Sequence, residues 1–335
     1  MTGKMSVSIA MCTYSGGGYL QEQLESIANQ SRLPDELIVC DDDSADKTME
    51  ILLAFKERSS FTVKVILNET KLGVVKNFEK AIKLCSGDII FLADQDDVWK
   101  PNKIAECLAV FKDSPNAGYV FSNAEIVDGQ LDSQSRDLWK LVNFRERRYR
   151  NYLHGEQLPV MLKGGNFIYG MTMAFKSEYK DILLPIVAPN RYSTCTHDTW
   201  ISLILSSIDA YGVSIDDTLV LYRQHNCQQY GIGRQVSFFE RMLRIKENKE
   251  DYMLELAQVL GEIRKRILSI DPGGKKYTRS IRIFDEMILH LTMRKNISAT
   301  HGISKLRLII AEIFSGRYFK FSSSFKSVIK DLMFS

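Results

Sequence analysis

Three carboxylates stand within four residues at the end of an apolar run, Gly87-Asp88-Ile89-Ile90-Phe91-Leu92-Ala93-Asp94-Gln95-Asp96-Asp97-Val98-Trp99. An apolar run bounded by glycine and charge reads as a buried strand of a parallel sheet. Asp94, Asp96 and Asp97 then lie at its carboxyl end, where open α/β sheets bind ligands. Clustered carboxylates repel one another, so a fold that gathers them suits a cation, and hard oxygen donors suit Mg²⁺ or Mn²⁺. Such an ion most often handles a diphosphate, although acidic triplets also occur as solvated turns. Two more apolar runs end in polar groups. The first gives Thr13-Tyr14-Ser15 and then Gly16-Gly17-Gly18; the second gives Asp41 and Asp42. On one rim, the first two ends would hold a nucleotide, Asp41 or Asp42 accepting from base or ribose, with its diphosphate reaching the third. The glycines lack the third glycine of a G-x-G-x-x-G fingerprint, so they read as a turn rather than a dinucleotide cradle.

The elements that must position these groups alternate. Strands are expected at Val7–Cys12, Leu37–Cys40, Thr62–Leu67 and Asp88–Ala93. Helices are expected at Tyr19–Gln30, Asp46–Arg58, Val75–Cys85 and Pro101–Asp113, the last with proline in its first turn. Single helices between strands imply an α/β fold with a doubly wound, mostly parallel sheet. After a strand at Tyr119–Phe121 the pattern loosens, and the Arg-rich stretch 128–158 reads as a loop and helix over the sheet. A helix at His197–Ile208 and a strand at Thr218–Tyr222 follow. From about Gln235 the signal is helical only. Phe238, Met242 and Ile245, then Leu256, Val259, Leu260, Ile263 and Ile267, trace an apolar stripe that Asp271-Pro272-Gly273-Gly274 breaks. The expected division is 1–232 for the α/β domain and 233–335 for a basic helical region.

The 335 residues, 45% hydrophobic and 25% charged, are those of an ordinary globular protein, and a formal charge of +3 gives no argument for nucleic acid. From Arg234 onward, 20 Lys+Arg stand against 11 Asp+Glu, a balance of +9; the preceding part has 24 against 30, a balance of −6. A basic region behind an acidic body suits packed helices, an anionic lipid surface or a protein partner. The six cysteines show no metal-ligand spacing and read as buried thiols of a reducing, cytoplasmic compartment. The amino-terminal residues have no apolar signal core, and no apolar run reaches the length of a membrane span.

Ser6–Tyr14, Ile38–Thr48 and Gly87–Asp97, in that order and spacing, resemble the signatures of glycosyltransferase family 2 over roughly residues 5 to 232. The segments Ala93–Lys103, His197-Asp198-Thr199-Trp200 and Tyr222-Arg223-Gln224-His225-Asn226 resemble its bacterial rhamnosyltransferase-like branch. The resemblance implies the GT-A fold, a DxD-type metal site, and transfer from a nucleoside-diphosphate sugar to a hydroxyl with inversion. The narrower likeness implies L-rhamnose from a dTDP donor, with a growing surface polysaccharide or lipid-linked glycan as acceptor. By that likeness Asp96, Asp94 and His225 hold the divalent metal, Mg²⁺ or Mn²⁺. Thr13, Tyr14, Asp41, Asp42, Lys71, Lys76, Asp94 and Arg223 face the donor; Gly170, Met171, Thr172 and Trp200 lie on the acceptor side; Asp198 is the general base. Each has a plainer reading: His225 as a loop histidine, Arg223 beside a surface carboxylate, Trp200 in the core, Asp198 complementing a helix dipole. Two departures stand out. Asp43 replaces the family's usual Gly, at a turn that Asp tolerates, and His197 stands where many members have Glu. A sugar nucleotidyltransferase would need a basic residue in Ser15–Tyr19, which has none, and a non-catalytic sugar-nucleotide-binding subunit would not need Asp198.

Overall fold

A computed structural model describes residues 4–164, 166–187, 195–226, 228, 238–322 and 325–333. Its elements in chain order are β1 (Val7–Thr13), α1 (Leu20–Ala28), β2 (Glu36–Asp41), α2 (Thr48–Arg58), β3 (Thr62–Leu67), α3 (Val74–Leu84), β4 (Ile89–Ala93), β5 (Val98–Trp99), α4 (Lys103–Asp113), β6 (Tyr119–Val127) and β7 (Ser133–Asp137). Then come α5 (Leu138–Leu141), α6 (Glu146–Leu153), α7 (Gln157–Gly164), a 3₁₀ turn at Gly170–Thr172, β8 (Met173–Lys176), α8 (Lys180–Leu183), α9 (His197–Ser207), β9 (Gly212–Arg223), α10 (Phe238–Ile270), α11 (Thr278–Ser298), α12 (Gly302–Phe314), α13 (Arg317–Phe321) and α14 (Phe325–Met333).

The strands form one sheet in the order β3-β2-β1-β4-β8-β6-β9-β5, with β7 also on β6. From β3 to β4 every pairing is parallel, as the alternation of strands and helices requires. Beyond β4 the sheet is mixed: β8 runs antiparallel to both β4 and β6, β9 is parallel to β6, and β5 is antiparallel to β9. The α/β class holds, and the parallel half is the half that the alternation marks. Every residue of β2 and of β4 is buried, the result of an apolar run covered on both faces. The β3 edge strand instead alternates around a buried Val63. The cysteines at 12, 40, 85, 107 and 195 form no disulfide. Burial pushes the Cys40 thiol up to about 11 and those of Cys85 and Cys107 up to about 12, which makes them unreactive. Cys227 lies outside the described residues.

The chain divides into two compact units, Met1–Arg150 with Phe167–Ala188 and His197–Gly231, and Asn151–Asn166 with Pro189–Thr196 and Ile232–Ser335. A single cut near residue 232 is therefore too simple. Helix α7 belongs to the second unit, where it packs on α11 and α13. In that unit Val259, Leu260, Ile263 and Ile267 of α10 are buried, as are Ile283, Phe284, Met287 and Leu291 of α11. Each such side chain contributes roughly 1.5–3 kcal/mol by leaving water. Helix α10 ends at Ile270, before the Asp-Pro-Gly-Gly break, and the Asp271 carboxylate accepts from the Tyr277 N–H at 3.0 Å. The side chains of Phe238, Met242 and Ile245 lie outside the described residues.

Two buried carboxylates tie α11 to α14 together. Glu312 accepts from Arg317 and lies 2.6 Å from His290 Nδ1. Asp331 accepts from Arg294 at 2.7 and 3.0 Å and from the Tyr318 hydroxyl at 2.8 Å. No helix among the described residues is long and apolar enough to cross a membrane.

Candidate active site

The acidic loop begins where β4 ends, and its three carboxylates face different surroundings. Asp97 is turned inward. Its Oδ1 accepts from the Arg223 N–H at 3.1 Å, while its buried Oδ2 has no partner. Burial, then the charges of Asp96 and Asp94, push its pKa well above the carboxylate range. Asp96 Oδ2 lies 2.9 Å from His225 Nε2, and that imidazole lies against the Tyr19 ring at 4.4 Å. The backbone carbonyl of Asp94 accepts from Gln23 of α1 at 3.0 Å. Its carboxyl is pushed up to about 7 by burial first, then by Asp96 and by Asp198. That last contribution brings the start of α9 to the acidic loop.

Asp198 sits in the first turn of α9. Its Oδ2 accepts from the Gly170 N–H at 2.9 Å, and its Oδ1 accepts from the Thr199 N–H at 2.6 Å. The 3₁₀ turn that begins at Gly170 is thus held to Asp198. A Cβ on Gly170 would stand 2.7 Å from His197 Nε2, so this approach requires glycine. His197 stacks on Phe78 with centroids 3.8 Å apart, and neither ring nitrogen has a partner. Burial lowers its pKa, which favours a neutral ring in a slot where an ionised glutamate would be costly. Trp200 is a correction: it is 0% exposed and its indole N–H donates to the Leu183 carbonyl at 2.8 Å, a core position.

At the donor end, Asp41 and Asp42 organise loops. Asp41 accepts from the Thr13 hydroxyl at 2.6 Å and from the Ser44 N–H and hydroxyl at 2.9 and 2.7 Å. Asp42 accepts from Asn68 and from the N–H groups of Leu72 and Gly73 at 2.9, 2.7 and 2.8 Å. Both are buried. Asp43 takes φ +66°, the left-handed geometry expected of it. The N–H groups of Ser15, Gly16 and Gly17 donate to Ser44, Thr48 and Asp46, which makes this segment a pinned turn. The exposed Tyr14 ring lies 3.4 Å under the Lys71 ammonium, so these two come together at the surface. Gln95 joins them to the acidic loop: its Oε1 accepts from the Tyr14 N–H at 2.8 Å and its Nε2 donates to the Tyr14 carbonyl at 3.0 Å.

Two expected donor contacts are engaged elsewhere. Lys76 donates to Glu79 at 2.8 Å and to the Ile186 carbonyl at 2.7 Å. Arg223 is 1% exposed; its guanidinium donates to the carbonyls of Asp96 and Gly129 and to Glu22, and covers the Tyr19 ring. It fixes the acidic loop from below rather than reaching for phosphate.

Lys103 also lies at this site, although no motif names it. It is fully buried, its ammonium lies 3.4 Å from the Trp99 ring centre, and it donates to the Met171 carbonyl. Burial lowers its pKa to about 7, while Cys107, Asp97 and Asp94 act the other way. It joins the acidic loop to the turn that holds Asp198. The available signal was its place on the buried face of α4 with Ile104, Cys107 and Phe111.

The family model described as glycosyl transferase family 2 matches residues 8–181, from β1 through α8. The chain belongs to that family. The dTDP-rhamnosyl transferase RfbG of Shigella flexneri is 26% identical over 245 residues, 70% of this chain and 78% of that protein. The UDP-Glc:alpha-D-GlcNAc-diphosphoundecaprenol beta-1,3-glucosyltransferase WfgD of Escherichia coli is 32% identical over 122 residues, 36% of this chain and 47% of that protein. The match to WfgD, like that to an uncharacterized Nostoc glycosyltransferase at 38%, spans less than half of the relative's length. Among solved structures, S. aureus TarS 1-349 in complex with UDP-GlcNAc superposes with a TM-score of 0.57 at 17% identity, covering 92% of this chain and 79% of that one. That likeness carries the fold.

Among the described residues no three His, Cys, Asp or Glu side chains are grouped so as to hold a metal ion by themselves. Asp94 and Asp96 nevertheless fit a hard divalent cation. Burial first, then the charges of Asp96 and Asp198, raise the Asp94 pKa, and Mg²⁺ sites often use one or two carboxylates with substrate phosphates completing the shell.

Proposed function

We propose that this enzyme transfers a sugar from a nucleoside-diphosphate donor to an acceptor hydroxyl with inversion, Asp198 acting as the general base. The observation that carries the reading is the position of Asp198: clasped by the Gly170 N–H on the expected acceptor side and near enough to Asp94 to raise its pKa. As the acceptor oxygen bonds to the anomeric carbon, its proton passes to the Asp198 carboxylate. The bond from that carbon to the diphosphate oxygen breaks on the opposite face. One displacement inverts the centre.

Asp94 and Asp96 would hold a divalent cation, Mg²⁺ or Mn²⁺, with His225 behind Asp96; when bound it supplies positive charge for the departing diphosphate. Tyr14 and Lys71 would cover the nucleoside end, above the loops that Asp41 and Asp42 fix. Likeness to RfbG along most of both chains supports dTDP-L-rhamnose as donor. A growing surface polysaccharide or a lipid-linked glycan at the cytoplasmic face of a membrane would be the acceptor.

The test combines thermal-shift binding across nucleoside diphosphates and their sugars, with and without Mn²⁺, and product formation by wild type and Asp198→Asn. Expected are a metal-dependent shift with dTDP conjugates, and an Asn variant that binds donor but does not transfer. Normal turnover by the variant would remove Asp198 as the base, and a shift with triphosphates alone would turn the reading toward nucleotidyl transfer.

A further inference from the structure

We propose that the outward faces of α12 and α14 form a docking surface for an anionic lipid bilayer. On α12, Ile303, Leu306, Ile310 and Phe314 follow one helical stripe and are all exposed, Ile303 by 74% and Phe314 by 88%. On α14, Phe325, Ile329, Leu332 and Met333 do the same, with Phe325 at 66% and Met333 at 69%. The two helices pack side by side, and the Lys305 ammonium in the first turns of α12 reaches the Leu332 carbonyl at the end of α14.

These stripes are not misplaced core. The opposite faces already bury Ile309 and Val328 with Ile297 and Tyr318, and hold Glu312 and Asp331. Monomeric soluble domains rarely leave so many large apolar groups contiguous unless something covers them.

Charge chooses the occupant. Arg307, Lys326 and Lys330 are exposed on the same two helices. The only acidic residues between 302 and 333 are Glu312 and Asp331, and both are buried in ion pairs. The face therefore offers apolar groups and positive charge with no exposed carboxylate. That combination matches a bilayer with anionic headgroups, where apolar area and basic residues act together. This inference rests on the proposed transfer to a lipid-linked glycan: a docked enzyme would meet such an acceptor in two dimensions.

The test is co-sedimentation of the full chain with phosphatidylglycerol/phosphatidylcholine vesicles and with phosphatidylcholine alone, at low and high salt. Expected is binding to the anionic vesicles that weakens with salt. Phe314→Ser with Phe325→Ser, and separately Lys326→Glu with Lys330→Glu, should each weaken it at least about tenfold. Melting temperature and transfer to a short soluble acceptor should stay unchanged. Failure of folded wild type to pellet, or equal pelleting of both variants, overturns the proposal. So does a dimer by light scattering that Phe314→Ser dissolves, which would give the face to a second copy. Vesicle binding by an Asp198→Asn enzyme that still transfers would keep the surface and remove the catalytic reading instead.

Discussion

Two groups of buried carboxylates in this chain behave in opposite ways. In the second unit Glu312 is wholly enclosed, yet His290 and Arg317 outweigh the cost of burial and its pKa lies below the ordinary value. Asp331 has Arg294 and Tyr318. Around β4, Asp94 and Asp97 are raised instead, by burial first and then by neighbouring carboxylates, Asp96 and Asp198 for Asp94 and Asp96 and Asp94 for Asp97, which outweigh Lys103. Satisfied carboxylates hold helices together, whereas carboxylates left short of positive charge are what a binding site for a cation and a diphosphate requires.

The sharpest way to break this comparison is Asp198→Asn, expected to lower the rate of transfer roughly 10²–10⁴-fold with donor affinity nearly unchanged by calorimetry. Next comes Glu312→Ala, which strands His290 and Arg317 and should cost about 3–5 kcal/mol of the second unit's stability in denaturant unfolding. A smaller loss would mean that the network is solvated. Lys103→Met tests the buried lysine beside the acidic loop. The folded pKa of this lysine, about 7, is depressed by burial below its ordinary value of 10.5. Its contribution to stability is therefore present above the unfolded pKa and lost as pH falls through 7, a slope of about 1.4 kcal/mol per pH unit between those limits. The Met variant should flatten that slope; an unchanged profile would place the titration elsewhere. The smallest effect is expected for Asp97→Asn, within about 1 kcal/mol of wild type, because an amide can replace a carboxyl whose pKa is already raised. A large loss would show that Asp97 is held ionised.

Much of this was legible in the residues. The parallel half of the sheet follows from alternating apolar runs, and the carboxylates of the acidic loop stand at the end of β4, where the apolar run ends. The mixed half was not legible: β8 inserts antiparallel between β4 and β6, and nothing in Met173–Lys176 encodes its neighbours. Strand β9 was read as Thr218–Tyr222 but runs from Gly212 to Arg223, because its pairing with β6 continues past irregular register at Ser122 and Asn123. Arg223, Lys76 and Trp200 have protein partners that their motifs do not name. A side chain's type states what it can bind, but its partner is set by chain folding: Glu22 lies 201 residues from Arg223, and the Ile186 carbonyl 110 from Lys76.

Gln95 carries a last consequence. Its amide grips both the N–H and the carbonyl of Tyr14, and a Cβ on Gly16 would stand 2.4 Å from Gln95 Oε1, so a side chain there would displace this amide. The nucleoside-side loop and the acidic loop are thereby hinged on one residue. On the proposed reading, a base at Tyr14 and a cation at the acidic loop would both act on this amide, and their occupancies would be thermodynamically linked. Gln95→Ala should separate them into independent isotherms.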